Sequence, residues 1–186
     1  MTKIEKLLST RKSVFTVDDL SVLWQQPNRR KLWAVIRYYL RVGKLIKIHS
    51  GIYALGSFTP FEVAQKLITP SYISFHTALG IHGINFQLYQ TIHNVALISK
   101  TITTKGQQYT YHQMKDNIFF NEIGLIKEDV YSIASPERAI CDSIYLSPHI
   151  TFDNLDDIDL DKLQTIASIY QRQTLLKRIK QILTKG

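Results

Sequence analysis

The chain has 186 residues, of which 45% are hydrophobic, and a formal net charge of +8. That apolar content is enough for a packed core and argues against disorder. The sequence has no run of about 18 apolar residues for a membrane span, and residues 1–15 lack the features of a signal peptide. Cys141 is the only cysteine, so no internal disulfide can form. We expect a cytoplasmic protein with no membrane segment.

The positive charge is concentrated at one end of the sequence. Residues 1–56 contain eleven lysines and arginines but only three acids, whereas residues 57–186 contain twelve of each. The whole excess of +8 therefore falls in the first part. This asymmetry predicts two domains, a polyanion-binding module over residues 1–56 and a neutral domain over residues 57–186.

The first module begins with short helical patterns. Apolar residues recur at helical spacing over residues 3–9 and again over residues 17–24. Thr16 precedes the second pattern as a predicted N-cap, with acids in the first turn where the helix dipole favours them. Asn28 is the predicted N-cap of a third helix.

The third helix has two distinct faces. One is apolar at helical spacing, and Gly43 follows the helix where a left-handed residue is expected. The opposite face repeats basic and aromatic residues at spacings of three and four: Arg30, Trp33, Ala34, Arg37 and Arg41.

The hydrophobic period changes from 3.6 to 2 after this helix. Residues 44–49 and 52–55 are predicted strands around Ser50-Gly51, joined either by a two-residue turn, which sets the register below, or by a longer loop. The predicted register pairs the following residues: His49 with Ile52, Ile48 with Tyr53, Lys47 with Ala54, and Ile46 with Leu55.

Three helices followed by a basic hairpin predict a winged helix-turn-helix. Three cations begin the third helix, and each should destabilise it by about 0.3–1 kcal/mol. The same arrangement suits a phosphate group, so we expect binding to double-stranded DNA. The predicted DNA-binding residues are Arg29, Arg30, Lys31, Trp33, Arg37, Arg41, Lys44, Lys47 and His49.

The remainder of the chain predicts an α+β domain with a small, mainly antiparallel sheet and C-terminal helices. A short helix is predicted first, then an extended segment and a helix capped by Ser74. Ser135 caps a second strong helix start, because proline follows it at the first helical position. The predicted strands cover residues 94–98, 108–114, 118–123 and 130–134. The predicted helices cover residues 61–68, 74–83, 161–170 and 173–183, and a further helix starts at Ser135 within the segment 134–145.

Sequence motifs for catalysis are weak in this region. His76 and His82 are six residues apart and fall on different helix faces, so we expect no metal site and no cofactor. Cys141 lies among apolar residues and is interpreted as a buried thiol. The i,i+4 spacing of Arg138 and Asp142 predicts a supporting pair on the helix surface.

A nuclease delivered to DNA is one alternative, and it would need clustered carboxylates beside a lysine. Asp116, Glu122 and Lys127 are the only candidates, and we expect no enzymatic activity. Another alternative is a stand-alone transcription regulator whose second domain senses a ligand.

Three segments in order resemble the AbiEi-type antitoxins of type IV toxin–antitoxin systems: "LRVGKLIKIHSGIYAL", "YISFHTALGIHGI" and "ASPERAICDSIY". The resemblance covers residues 1–146, and it implies a phage-defence regulator. It implies an N-terminal domain that binds inverted repeats in its own promoter as a repressor. It also implies a C-terminal domain that counteracts a nucleotidyltransferase toxin, whether or not the two proteins touch. We expect a monomer in solution.

Overall fold

The computed structural model describes residues 1–87 and 90–184 and has an α+β fold. The chain divides into two compact units, which are described separately. The first unit comprises Met1–Thr69 with Thr104–Gly106, and the second comprises Pro70–Thr103 with Gln107–Gly186. The predicted boundary after residue 56 lies inside the first unit.

The first unit combines helices with a small sheet. Its three strands are antiparallel in the order β1-β3-β2. The first strand of the three was not predicted. In chain order the elements are α1 (Lys3–Leu8), β1 (Val14–Thr16), α2 (Val17–Leu23), α3 (Arg29–Arg41), β2 (Ile46–His49), β3 (Ile52–Ala54) and α4 (Pro60–Leu67).

The predicted caps position the helices of this unit. Thr16 forms a capping box with Asp19, since its hydroxyl accepts the Asp19 N–H (3.1 Å) and the Asp19 carboxylate accepts the Thr16 N–H (2.8 Å). The side-chain oxygen of Asn28 accepts the N–H of Lys31 at 3.1 Å and begins α3. Helix starts predicted from local sequence are thus confirmed at both places.

The core of the first unit lies between its helices and the sheet. The inner face of α3 contributes Leu32 and Ile36, both fully buried. Burial of each such side chain stabilises the folded unit by about 1.5–3 kcal/mol. The buried cluster comprises Leu7, Phe15, Leu20, Trp24, Leu32, Ile36, Leu45 and Tyr53.

Helix α4 belongs to the first unit because its polar side chains bind the unit's other elements. The buried carboxylate of Glu62 accepts the backbone N–H groups of Ser13 and Val14 at 3.0 Å. Lys66 forms an ion pair with Asp19 at 2.7 Å. Burial acts to raise the pKa of Asp19, but the Lys66 ammonium and the Thr16 N–H outweigh it and lower that pKa. These contacts explain why the unit extends beyond residue 56.

The predicted hairpin forms, but most of its predicted register is wrong. His49 pairs with Ile52 as predicted, whereas Lys47 pairs with Tyr53 instead of Ala54. An irregularity between Lys47 and His49 shifts the register by one residue, as a β-bulge does. Ile48 falls at the shift and is buried.

The second unit contains a six-stranded sheet of order β6-β7-β5-β4-β9-β8. The prediction of a mainly antiparallel sheet is corrected, since β5 pairs with β7 and β4 pairs with β9 in parallel, which makes the sheet mixed. The strands are β4 (Ser71–Ile73), β5 (Ile92–Ala96), β6 (Lys100–Thr104), β7 (Gln107–Gln113), β8 (Leu125–Lys127) and β9 (Ser132–Ala134); the helices are α5 (Phe75–Ile81), α6 (Asp116–Phe119), α7 (Pro136–Leu146), α8 (Leu160–Ile169) and α9 (Gln173–Leu183).

Two local predictions for the second unit are also wrong. Residues 118–123 were predicted as a strand, but α6 ends there and a turn follows. Ser74 occupies the N-cap position of α5 without capping it, because its hydroxyl donates instead to Asp142 at 2.7 Å. Ser135 does cap α7, as predicted.

Arg138 and Asp142 are buried at the centre of the second unit, which corrects the prediction of a surface pair. Both side chains are 0% exposed, and Arg138 Nε lies 3.5 Å from Asp142 Oδ1. The guanidinium also donates to the backbone carbonyls of Ile118 (2.7 Å), Asn121 (3.1 Å) and Ile123 (3.0 Å). A buried charge needs such partners, because burial without them costs several kcal/mol.

Three hydroxyl groups complete the shell around the Asp142 carboxylate. Tyr170 donates at 2.6 Å, Ser74 at 2.7 Å, and Tyr72 at 3.2 Å. Burial raises the pKa of Asp142, against the opposing effects of the Arg138 guanidinium and these hydrogen bonds. Cys141, beside this pair, is buried as predicted.

Candidate nucleic-acid interface

The outer face of α3 is basic and exposed along its whole length. Because this face lies opposite the buried Leu32 and Ile36, its side chains extend into solvent. All members of the predicted face are exposed: Arg30, Trp33, Ala34, Arg37 and Arg41. We call these five residues the α3 face.

The cations at the start of α3 differ in their surroundings. Arg29 forms an exposed ion pair with Asp18 of α2 at 2.6 Å. Arg30 and Lys31 have no ion pair with any acid among residues 1–87 and 90–184. The partial positive charge of the helix start therefore coincides with two uncompensated side-chain charges. An anion would relieve this repulsion.

The end of α3 is closed by a Schellman motif. Gly43 adopts φ +68°, the Lys44 N–H donates to the Tyr39 carbonyl, and the Gly43 N–H donates to the Leu40 carbonyl. The prediction of a left-handed glycine is confirmed. This turn directs the chain into β2, so that the exposed Lys44 connects the helix to the hairpin.

The hairpin presents two of the predicted side chains to solvent. Lys47 and His49 are exposed on β2, on either side of the buried Ile48. The register shift preserves this separation of buried and basic residues, although the predicted pairing was wrong. The adjacent strand β3 is buried along its length because it is central in the sheet.

One aromatic residue beside the α3 face was not predicted from the sequence. Tyr38 is half exposed, its ring contacts Tyr39 edge-on, and the Arg41 guanidinium lies 5.8 Å from its centroid. The spacing of three residues between Tyr38 and Arg41 is a signal that could have identified this pair.

The second unit contains a histidine cluster that the sequence did not indicate. His93 Nδ1 lies 3.1 Å from His112 Nε2, and the ring of His76 is 5.5 Å from that of His93. Burial, followed by the proximity of His112 and His76, lowers the pKa of His93 to about 4. Burial also lowers the pKa values of His76 and His112. His76 lies on α5, His93 on β5 and His112 on β7, so the three residues meet over sequence distances that no local motif spans.

The cluster lines a cavity of about 140 Å³. Phe75 lies at its wall with φ +52°, a conformation that costs energy for a bulky residue. The hydroxyl of Ser143, also at the wall, is buried and has no hydrogen-bond partner among the described residues.

The three residues considered for a nuclease lie on different local structures. Glu122 pairs with Lys127 at 2.8 Å on the surface, and Asp116 begins the short α6. Across residues 1–87 and 90–184, no group of three histidines, cysteines or acids has a geometry that would hold a metal ion. In the same part of the chain, every helix is too short or too polar to cross a bilayer.

Comparison with protein-family models gives no match for the sequence, and neither does a search of curated proteins.

Proposed function

We propose that the first unit is a winged helix-turn-helix module that binds double-stranded DNA, with α3 in the major groove. The observation that carries the proposal is the exposed α3 face, opposite a buried apolar face on the same helix. Arginines at this spacing match guanine edges in the major groove. Lys44, Lys47 and His49 on the hairpin side and Lys31 at the helix start suit phosphate groups.

The particular protein we propose is a cytoplasmic antitoxin of the AbiEi type that represses its own promoter and counteracts a nucleotidyltransferase toxin. The support is the resemblance of three segments, two of which meet in the second unit. "YISFHTALGIHGI" supplies Ser74 and "ASPERAICDSIY" supplies Asp142, and their side chains are hydrogen bonded. On this proposal the chain has no catalytic activity of its own.

DNA binding is tested by titrating the full chain against a duplex of its upstream promoter at several salt concentrations. Arg37→Ala should weaken binding by about 1–3 kcal/mol, and Lys47→Ala should lower the salt slope by about one. Lys177→Ala, an exposed lysine of α9, is the matched control and should change neither. Unchanged affinity in both test variants would exclude this mode of binding.

The antitoxin role is tested by growth rescue. The chain is expressed from an independent promoter together with the nucleotidyltransferase encoded beside it. Wild type should restore growth, and so should the triple alanine variant of Arg30, Arg37 and Arg41, because neutralisation is assigned to the second unit. Absence of rescue by the wild type would refute the antitoxin role and leave the DNA-binding proposal standing.

A stand-alone regulator with a ligand-sensing second unit is the second candidate. The cavity beside the histidine cluster favours it, because a strained Phe75 and a buried Ser143 hydroxyl without a hydrogen-bond partner in the described part of the chain are features that occur at ligand sites. This candidate predicts that promoter affinity changes with a small molecule. It predicts no rescue from a toxin.

A further inference from the structure

The two tryptophans of the chain have opposite environments. Trp24 is 3% exposed, and its indole N–H donates to the Lys3 carbonyl at 2.8 Å. Trp33 is 39% exposed, and within the described residues its indole has no hydrogen bond or ring contact. An exposed indole leaves a large apolar surface in water, which a buried contact with a partner would remove.

The position of Trp33 on α3 relates it to the arginines of the α3 face. Arg30 precedes it by three residues and Arg37 follows it by four, so all three share one side of the helix. A rise of 1.5 Å per residue separates Arg30 from Arg37 by about 10 Å along the axis. Base pairs are about 3.4 Å apart, so this distance corresponds to about three steps of DNA.

We propose that Trp33 contacts the C5 methyl group of a thymine that lies between two guanines bound by Arg30 and Arg37. The inference rests on the proposed DNA-binding function and assigns part of its sequence specificity. The major groove presents guanine N7 and O6 to arginine, and it presents the thymine methyl as its apolar feature. Trp33 is the apolar side chain of the α3 face large enough to reach it.

The predicted half-site therefore has two guanines about three base pairs apart, with a thymine at an intervening step on either strand. Removal of the methyl group should cost about fourfold in affinity, since burial of one carbon of this kind contributes about 0.8 kcal/mol. Arginine contacts to the guanines should be more sensitive, with losses of about fivefold or more on substitution of either base pair.

The test begins with duplexes that the full chain selects from a random 20-base-pair library. Each thymine of the selected site is then replaced by deoxyuridine, which removes only the methyl group. We expect wild type to lose about fourfold in affinity when one particular thymine is replaced by deoxyuridine. Trp33→Ala should bind the thymine duplex and that deoxyuridine duplex with equal affinity. Trp33→Phe retains an apolar ring and should keep part of the discrimination. Phe86→Ala, which removes an exposed aromatic ring from the second unit, should retain all of it.

Fluorescence gives a second readout of the same contact. Trp33→Phe leaves the buried Trp24 as the only tryptophan, so the difference from wild type reports Trp33. Iodide should quench Trp33 in the free protein, and the selected duplex should protect it.

The outcomes separate the inference from the function on which it rests. No selective binding to any duplex refutes the proposed function itself. Selective binding with equal affinity for thymine and deoxyuridine at every position overturns the role of Trp33 alone. Persistent methyl discrimination in Trp33→Ala also overturns it, since another residue then makes the contact.

Discussion

Replacement of Asp142 by asparagine should strongly destabilise the second unit. The side chains of aspartate and asparagine have nearly the same shape, so the substitution chiefly removes the negative charge opposite Arg138. That guanidinium is 0% exposed and would be left as an uncompensated buried charge, which typically costs about 3–5 kcal/mol. With a urea dependence of about 2 kcal/mol per molar, the unfolding midpoint should fall by about 2 M.

The two tryptophans make one of two readouts specific for the first unit, because both lie in that unit. Far-ultraviolet circular dichroism follows the helices of the whole chain, whereas tryptophan fluorescence follows the first unit alone. Asp142→Asn should therefore move the dichroism transition while leaving the fluorescence transition in place. Should the second unit fail to fold in this variant, Tyr170→Phe, which removes one 2.6 Å hydrogen bond, offers a milder change of about 1.5–3 kcal/mol.

Asp18→Asn is the matched control, because Asp18 also pairs with an arginine but on the surface. Its partner Arg29 is 59% exposed and Asp18 itself 79%, so loss of this pair should cost less than about 1 kcal/mol. If Asp142→Asn cost as little as Asp18→Asn, the buried pair would contribute no more than an exposed one. The reasoning from burial would then be wrong.

Two further predictions concern one residue in each unit. Glu62→Gln should destabilise the first unit by about 2 kcal/mol in the fluorescence transition, because the carboxylate accepts the N–H groups of Ser13 and Val14 and an amide cannot accept as strongly; an unchanged transition would contradict this. In the folded chain the pKa of His93 is about 4, below its ordinary 6.5, so the unfolded chain takes up the proton first as pH falls. His93 therefore makes its full contribution to the free energy of unfolding above pH 6.5, and that contribution is lost as pH falls towards 4. Allowing for partial exposure, the loss should be about 2 kcal/mol between those limits. His93→Gln should flatten the dichroism-monitored stability over this pH range, and an unaltered slope would refute the assignment.

Features set by neighbouring residues were the ones that sequence predicted well. Thr16, Asn28 and Ser135 cap helices as expected, because a cap depends on a few residues in a row. The α3 face was also predicted, since the helical period alone separates it from the buried face. These predictions needed no knowledge of distant partners.

Features set by distant residues could not be predicted in this way. Asp142 meets Tyr72 and Ser74 across about seventy residues of sequence, so its i,i+4 spacing with Arg138 gave no sign of burial. The parallel pairing of β5 with β7 likewise depends on where the intervening chain crosses the sheet. The register shift between Lys47 and His49 adds one residue to β2, which the alternation of apolar and polar residues does not encode.

The start of α3 offers a direct test of whether its charge serves binding at the expense of folding. The charge of Arg29 is compensated by Asp18. Replacement of Arg30 should therefore change the stability of the first unit and its DNA affinity most clearly. Arg30→Glu places a favoured charge in the first turn and should stabilise the first unit by about 1 kcal/mol in the fluorescence transition. The same variant should lose at least about tenfold in DNA affinity, because a carboxylate repels the duplex where an arginine would bind it. Lys177→Glu changes the net charge equally on the second unit and should leave both quantities unaltered. If Arg30→Glu stabilised the unit and still bound DNA as wild type does, DNA binding would not explain why Arg29, Arg30 and Lys31 stand at the start of α3.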